Sequence, residues 1–146
     1  MSKRRVVITG LGAVSSVGNT AEETWQAVKA GKSGVSHITL FDAADFPVQI
    51  AAEVKDFSLD AYNVNHKLSR KMSRFAKFLL GAGIQAVNDS GLSSETLASG
   101  KTGIVTGIGI GLSDGLDAGY RKYFDPNAGV NRLPPLTAPL SLNNEA

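Results

Sequence analysis

The chain has 146 residues, the length of one ordinary domain, and 42% of them are hydrophobic, which is enough to supply a core. Its 15 basic and 13 acidic residues give a formal net charge of +2, which is too small to indicate a nucleic-acid partner. The sequence contains no cysteine, and this excludes disulfides, thiolate-bound metal centres and a cysteine nucleophile within these residues.

Signals for membrane insertion, secretion and metal binding are missing from the sequence. The apolar runs are too short to span a bilayer, and only three apolar residues follow the basic start MSKRR before a Thr-Gly pair. We therefore expect a cytoplasmic protein with no membrane partner. His37 and His66 are far apart and have no acidic or histidine partner at helical spacing, so we expect no metal site and no cofactor.

The first predicted elements are a strand, a glycine-rich loop and a helix. Residues 5–9 are mostly β-branched and precede Gly10, which predicts a buried strand. Thr20 and Glu23 have the spacing of a capping box, in which each side chain bonds to the other residue's amide, so a helix is predicted over residues 21–30. The face predicted to pack inward carries Ala21, Trp25 and Val28.

The stretch VVITGLGAVSSVGNT resembles a nucleotide-binding loop only in part. Gly10 and Gly12 match the first two glycines of the dinucleotide pattern GxGxxG, but Ser15 takes the third place. The predicted helix begins after Thr20, too late to present its amides to a pyrophosphate at the end of the strand. We interpret the glycines as allowing a sharp turn and close packing against a neighbouring segment. Dinucleotide binding remains a distant alternative.

The middle of the chain is predicted to contain a short strand and the longest helix. Residues 50–54 form the strand, between irregular stretches at 31–47 and 55–69. Residues 70–88 have apolar side chains at helical spacing and predict a helix that the run Asp89-Ser90-Gly91 closes.

A second buried strand is predicted over residues 101–106, followed by the glycine-rich run 107–111. Those glycines favour either a tight turn beside a core strand or the wall of a ligand pocket, and the residues alone do not separate the two. Prolines between 134 and 139 predict irregular structure. Strands that alternate with helices indicate an α/β architecture with a largely parallel sheet.

Several segments together resemble the β-ketoacyl-[acyl-carrier-protein] synthases of type II. The similarity runs from residue 4 to about residue 112 and is weak over 113–131. The segments that carry it are RRVVITGLGAVSSVGNTAEETWQAVKAGKSGV, FDAADFPVQIAAEVKDF, SRKMSRFAKF, NDSGL and TGIGIGL, where Leu112 replaces a glycine of the family, and then PPLTAP and Asn144.

The resemblance implies a thiolase-like layered fold, of which this chain would be an incomplete N-terminal half. In this family an acyl group moves from acyl carrier protein to a cysteine thiol. Malonyl-carrier then loses carbon dioxide, and the resulting carbanion attacks the thioester. The resemblance further implies a homodimer, a carrier partner in acyl- and malonyl-loaded forms, and no nucleic acid. Residues 1–146 would be the N-terminal part of the synthase domain, inactive alone because the family's Cys-His-His apparatus lies beyond them.

Two groups of site residues are implied by the same resemblance. Gly109, Ile110 and Gly111 match the segment that lines the acyl-chain pocket, with Ile110 limiting its depth. The second group is a basic patch that docks the acidic carrier protein; its members here are Lys67, Arg70, Lys71 and Arg132, although Asn131 stands where the family usually has another basic residue.

The charge of the docking segment allows two interpretations. A cationic patch attracts an anionic partner, whereas basic residues at the start of a helix are ordinarily only solvated. Cations at a helix N-terminus are mildly disfavoured by the helix dipole, and this slightly favours the partner role.

Two alternatives to a condensing enzyme remain open. One is a chain-length factor or polyketide-type ketosynthase subunit, which shares this N-terminal region. The other is a non-catalytic module that binds carrier protein. In each case we expect the isolated 146 residues to be poorly stable, because their strands would lack neighbours.

Overall fold

The computed structural model of the chain describes residues 4–109 and 113–127. Its elements, in chain order, are α1 (Ala21–Lys29), β1 (Val35–His37), β2 (Ile50–Ala52), a 3-10 helix (Leu59–Tyr62), α2 (His66–Ser69), α3 (Arg74–Ser90), α4 (Ser94–Ala98) and α5 (Ser113–Phe124). None of the helices in these two ranges combines the length and the apolar character that crossing a bilayer requires.

Helix α3 is the longest of the described elements and begins four residues later than predicted. Ser73 is its N-cap: the backbone is extended there, and the side chain accepts from the Ala76 amide at 3.4 Å. The preceding residues close separate turns, with the Arg70 amide bonded to the His66 carbonyl. The predicted end is confirmed, since Gly91 adopts the left-handed conformation (φ 65°) that lets the chain leave the helix.

Helix α1 confirms the predicted element but not all of its details. The Glu23 amide donates to Thr20 Oγ1 at 3.1 Å, as in a capping box, yet the Glu23 carboxylate accepts from the Asn19 amide at 2.8 Å rather than from Thr20. The predicted inner face is wrong in part, because Trp25 is 57% exposed and the buried residue of this helix is Ala27.

The sheet in the described residues is a pair of antiparallel strands. β1 pairs with β2 in the register Val35 to Ala52 and His37 to Ile50. β2 confirms the predicted short strand, whereas β1 lies in a stretch predicted as loop. The signal for β1 is weak because three residues are too few to show an alternating pattern.

The two predicted buried strands at residues 5–9 and 101–106 are wrong in the described structure. Neither segment forms a strand, and their apolar side chains face solvent: Ile8 is 82% exposed and Val105 is 99% exposed. A strand requires a neighbour for its amide and carbonyl groups, and no described segment pairs with either stretch. The predicted parallel sheet is therefore not formed in the described part of the chain.

Four short or late helices are not predicted from the sequence. The 3-10 helix and α2 lie within residues 55–69, which read as irregular, and α4 and α5 follow the long helix. Each of the first three starts at a serine or asparagine cap, namely Ser58, Asn65 and Ser93. Those caps are the local signal for elements too short to show a hydrophobic period.

Candidate functional site

The glycine-rich N-terminal loop lies directly on the backbone of α3. A Cβ atom at Gly10 would overlap the Ala86 carbonyl oxygen, and one at Gly12 would overlap the Ala82 carbonyl oxygen. Both positions therefore require glycine for contact rather than for a left-handed backbone. The close-packing interpretation is confirmed.

Gln85 joins this loop to α3 through both ends of its amide. Its Oε1 accepts from the amides of Ala13 at 3.2 Å and Ala21 at 3.1 Å. Its Nε2 donates to the Asn19 carbonyl at 2.9 Å and to the Tyr62 hydroxyl at 2.8 Å. One side chain thus satisfies polar groups of the loop, the start of α1 and the 3-10 helix. Sequence reasoning missed it; the available signal was a polar amide at an inward position of an apolar helix.

An aromatic cluster fixes the segment before α2 against α3. The rings of Phe57 and Phe78 meet edge to face at 5.4 Å, and the Tyr62 ring lies 6.3 Å from Phe57. A Cβ at Gly81 would overlap the Phe57 ring, so the glycine that weakened the helix prediction makes room for this contact. The cluster positions the chain from which the basic residues project.

Arg74 is the first residue of α3 and contacts this cluster. Its Nη2 donates to the Val54 carbonyl, and its guanidinium lies 5.1 Å from the centre of the Phe78 ring. Its charge is thus held against the protein by a carbonyl and a ring.

A cleft of about 460 Å³ lies between residues 54–57, the first turn of α3 and the start of α5. Its walls combine apolar with charged side chains. The lining residues are Val54, Asp56, Phe57, Met72, Ser73, Arg74, Lys77, Phe78, Gly115 and Ala118.

Three of the predicted docking residues lie close together between the 3-10 helix and α3. We call Lys67, Arg70 and Lys71 the cationic surface. They follow one another at positions i, i+3 and i+4 through α2 and the turn after it, so they share one side. All three are exposed, and in the described ranges no acidic side chain lies within ion-pair distance of any of them.

The helix-dipole argument for these residues is wrong, because the long helix starts at Arg74 and not at Arg70. Arg70 and Lys71 instead follow the last turn of α2, where a cation is mildly favoured by the dipole. The dipole therefore gives no independent support for a partner at this surface.

Of the other predicted site residues, the structure describes Gly109 alone. Gly109 is exposed, lies outside the cleft lining, and would have open space around an added Cβ. Ile110, Gly111 and Arg132 lie outside the described residues. Within the described ranges no group of three potential metal ligands occurs.

Comparison with known sequences identifies the family. A profile of the N-terminal domain of β-ketoacyl synthases matches residues 3–138. The chain is 42% identical over 146 residues to 3-oxoacyl-[acyl-carrier-protein] synthase 2 of Coxiella burnetii, and 40% identical over 144 residues to the protein of the same name from Vibrio harveyi. It spans only 34% of the length of each of these relatives.

A solved structure of similar shape is the ishigamide ketosynthase/chain length factor. It matches with a TM-score of 0.76 and 30% sequence identity, over 94% of this chain and 34% of that one. The likeness confirms the predicted fold class, a partial thiolase-like α/β fold. The strands predicted at residues 5–9 and 101–106 of this chain are nevertheless not formed in the described structure. Together with the profile match over most of its length, it shows that this chain belongs to the β-ketoacyl synthase family.

Proposed function

We propose that this chain is the N-terminal portion of a 3-oxoacyl-[acyl-carrier-protein] synthase, an acyltransferase that elongates acyl chains in fatty acid biosynthesis. The observation that carries the proposal is the similarity to enzymes of that name along the whole chain, at 40% and 42% identity. In the reaction an acyl group passes from its carrier to an enzyme thiol. Malonyl-carrier then loses carbon dioxide, and its carbanion forms the new carbon–carbon bond as the thiolate leaves.

The proposed contribution of these residues is recognition rather than bond making. The 146 residues contain no cysteine, so the thiol belongs to a part of the enzyme outside them. Exposed cations attract an anionic protein over several ångströms and raise its association rate. We assign this role to the cationic surface, with acyl carrier protein as its partner and a homodimer as the assembled enzyme.

A charge-deletion experiment tests the docking role. The chain is immobilised at low density, and binding of acyl carrier protein is measured over a range of salt concentrations. We expect the triple variant Lys67→Ala, Arg70→Ala, Lys71→Ala to lose most binding at low salt, and the remaining binding to depend less on salt.

The matched control removes the same charges from other exposed positions. Arg5→Ala, Lys32→Ala and Lys101→Ala also delete one arginine and two lysines. At about 0.15 M salt this variant should bind nearly as the wild type does, because the Debye length is then about 8 Å and charges outside the contact are largely screened. Equal losses in the two triple variants would contradict a localised docking surface.

The acyl-pocket assignment of Gly109, Ile110 and Gly111 is tested separately in an enzyme that carries this segment together with the Cys-His-His apparatus. Ile110→Phe adds bulk to an apolar slot, so we expect shorter products and unchanged use of short acyl primers. The measurement is the chain-length distribution of the products. An unchanged distribution of product chain lengths would contradict the assignment of Ile110 to the acyl pocket.

A chain-length factor is the second candidate function, and one observation favours it. The structural relative with a TM-score of 0.76 is a ketosynthase/chain length factor. The two candidates differ at the nucleophile position of the longer protein: a cysteine there supports the condensing enzyme. Sequencing the gene beyond the codon for Ala146 distinguishes them.

A further inference from the structure

Leu68 is an exposed apolar side chain within the cationic surface. It is 54% exposed, follows Lys67 directly and precedes Lys71 by three residues, so it lies next to Lys71 across the turn that ends α2. A single exposed leucine is ordinary on a protein surface. This one differs because its neighbours are three exposed cations that have no acidic partner within residues 4–109 and 113–127.

The backbone that presents Leu68 is held by local hydrogen bonds. Asn65 caps α2 by accepting from the Lys67 amide at 2.9 Å. The Leu68 amide donates to the Asn65 carbonyl, and the Leu68 carbonyl accepts from the Lys71 amide, each at 2.9 Å. A side chain on an ordered turn loses less freedom when a partner covers it than one on a loose loop.

The charges alone do not make a durable contact. Exposed ion pairs are screened by salt and contribute little affinity, although they speed the encounter. Burial of apolar area is what slows dissociation, and it is concentrated in a few central residues. Among Lys67, Leu68, Arg70 and Lys71, Leu68 is the residue that supplies apolar area without a charge.

We infer that Leu68 is the apolar anchor of the cationic surface and packs against an apolar side chain on an acidic protein partner. The partner's contact face therefore carries carboxylates around an exposed apolar residue. This inference rests on the proposed docking function and assigns different roles to the charged and the apolar side chains. Lys67, Arg70 and Lys71 attract the partner, and Leu68 retains it.

Two substitutions at Leu68 separate this inference from attraction by charge alone. Leu68→Ala removes apolar area and leaves the charge unchanged, so we expect about five- to tenfold weaker binding of acyl carrier protein, through faster dissociation and with an unchanged salt dependence. Leu68→Lys adds a fourth cation. A surface that acts by charge alone would bind more tightly after this change, whereas an apolar anchor predicts weaker binding, most clearly at high salt.

The control variant is Leu92→Lys, which adds the same charge at another exposed leucine and should bind as the wild type does. Circular dichroism of each variant checks that the helices remain. Wild-type affinity for Leu68→Ala, or tighter binding for Leu68→Lys at high salt, would overturn the anchor while the charge-deletion result still stands. Wild-type binding that withstands deletion of all three cations would instead overturn the docking function and the anchor with it.

Discussion

Gly12 shows most directly how one residue determines the position of the N-terminal loop. A Cβ there would overlap the Ala82 carbonyl oxygen and lie 2.8 Å from Gln85 Cβ. Both atoms belong to α3, which cannot move without disturbing the contact of Phe57 with Phe78 in the preceding turn. The sequence predicts the need for glycine, but not the identity of the neighbour.

Substitutions at Gly12 and Gly83 should change the stability of the fold in opposite directions. Gly12→Ala should destabilise the chain by about 2 kcal/mol or more, because the added methyl group has no space. Gly83→Ala is the control within α3, where an added Cβ meets nothing within 4 Å. Since alanine favours helix over glycine, Gly83→Ala should stabilise by about 0.5–1 kcal/mol.

Amide hydrogen exchange in dilute protein measures both changes as local opening and needs no cooperative unfolding transition. The Ala13 amide, which donates to Gln85, should exchange faster in Gly12→Ala, and the α3 amides should exchange more slowly in Gly83→Ala. Wild-type exchange of the Ala13 amide in Gly12→Ala would mean that the loop does not lie on α3 as described.

At the scale of elements, the β1–β2 hairpin depends on one carboxylate. Glu53 follows β2 and is almost fully buried. It accepts from the Thr39 amide at 2.9 Å, the Thr39 hydroxyl at 2.6 Å and the Leu40 amide at 3.2 Å. These donors, led by the Thr39 hydroxyl, hold the pKa of Glu53 below its ordinary value. They fix the loop that leaves β1.

The second prediction concerns the pH dependence of this hairpin. Because the pKa is lower in the folded chain, the ionised carboxylate contributes stability above its ordinary pKa of about 4.3, and that contribution is lost as the pH falls through the lower folded value. Glu53→Gln should therefore destabilise the hairpin at neutral pH and remove this acid-dependent loss. Amide exchange at Thr39 and Leu40 between pH 7 and about pH 2, corrected for the intrinsic exchange rate at each pH, measures the effect.

The control for this change is Glu22→Gln, at an exposed glutamate of α1. It should leave amide exchange in the hairpin as it is in the wild type at each pH. Amides of Thr39 and Leu40 that remain equally protected in Glu53→Gln would show that the carboxylate does not hold the loop.

The elements also show which parts of the fold can be predicted from sequence. α1 and the end of α3 were predicted because a helix bonds within itself, and its caps lie next to it in sequence. The strands at residues 5–9 and 101–106 were wrong because strand formation depends on a partner that local sequence does not specify. β1 was missed for the same reason, since its pairing with β2 spans a loop.

The candidate site also contains some residues that the sequence identifies and others that it does not. Residue type and resemblance identified Lys67, Arg70 and Lys71, and their common side follows from helical spacing. Gln85 and Glu53 were not identified, because each acts by accepting from backbone amides far away in sequence. Long-range hydrogen bonds of this kind leave no spacing pattern in the chain.

The whole molecule has two apolar segments that no described residue covers. In residues 5–9 and 103–106 the described structure contains no backbone hydrogen bond, and Val6, Ile8, Ile104 and Val105 are each more than four-fifths exposed. Unpaired amide and carbonyl groups beside β-branched side chains are what another strand recognises. We therefore expect the isolated 146 residues to self-associate through these segments and to unfold without a cooperative transition.

The third prediction localises that self-association. Val6→Thr and Val105→Thr keep the shape of each side chain but place a hydroxyl where the apolar contact would form, so each should lower the association constant, and the double variant should lower it most. Val28→Thr makes the same change at an exposed valine of α1 and should have no effect, because a helix has already satisfied its own backbone. Sedimentation velocity over a concentration series measures all four variants. A wild-type chain that stays monomeric and melts cooperatively would show that the exposed segments need no partner.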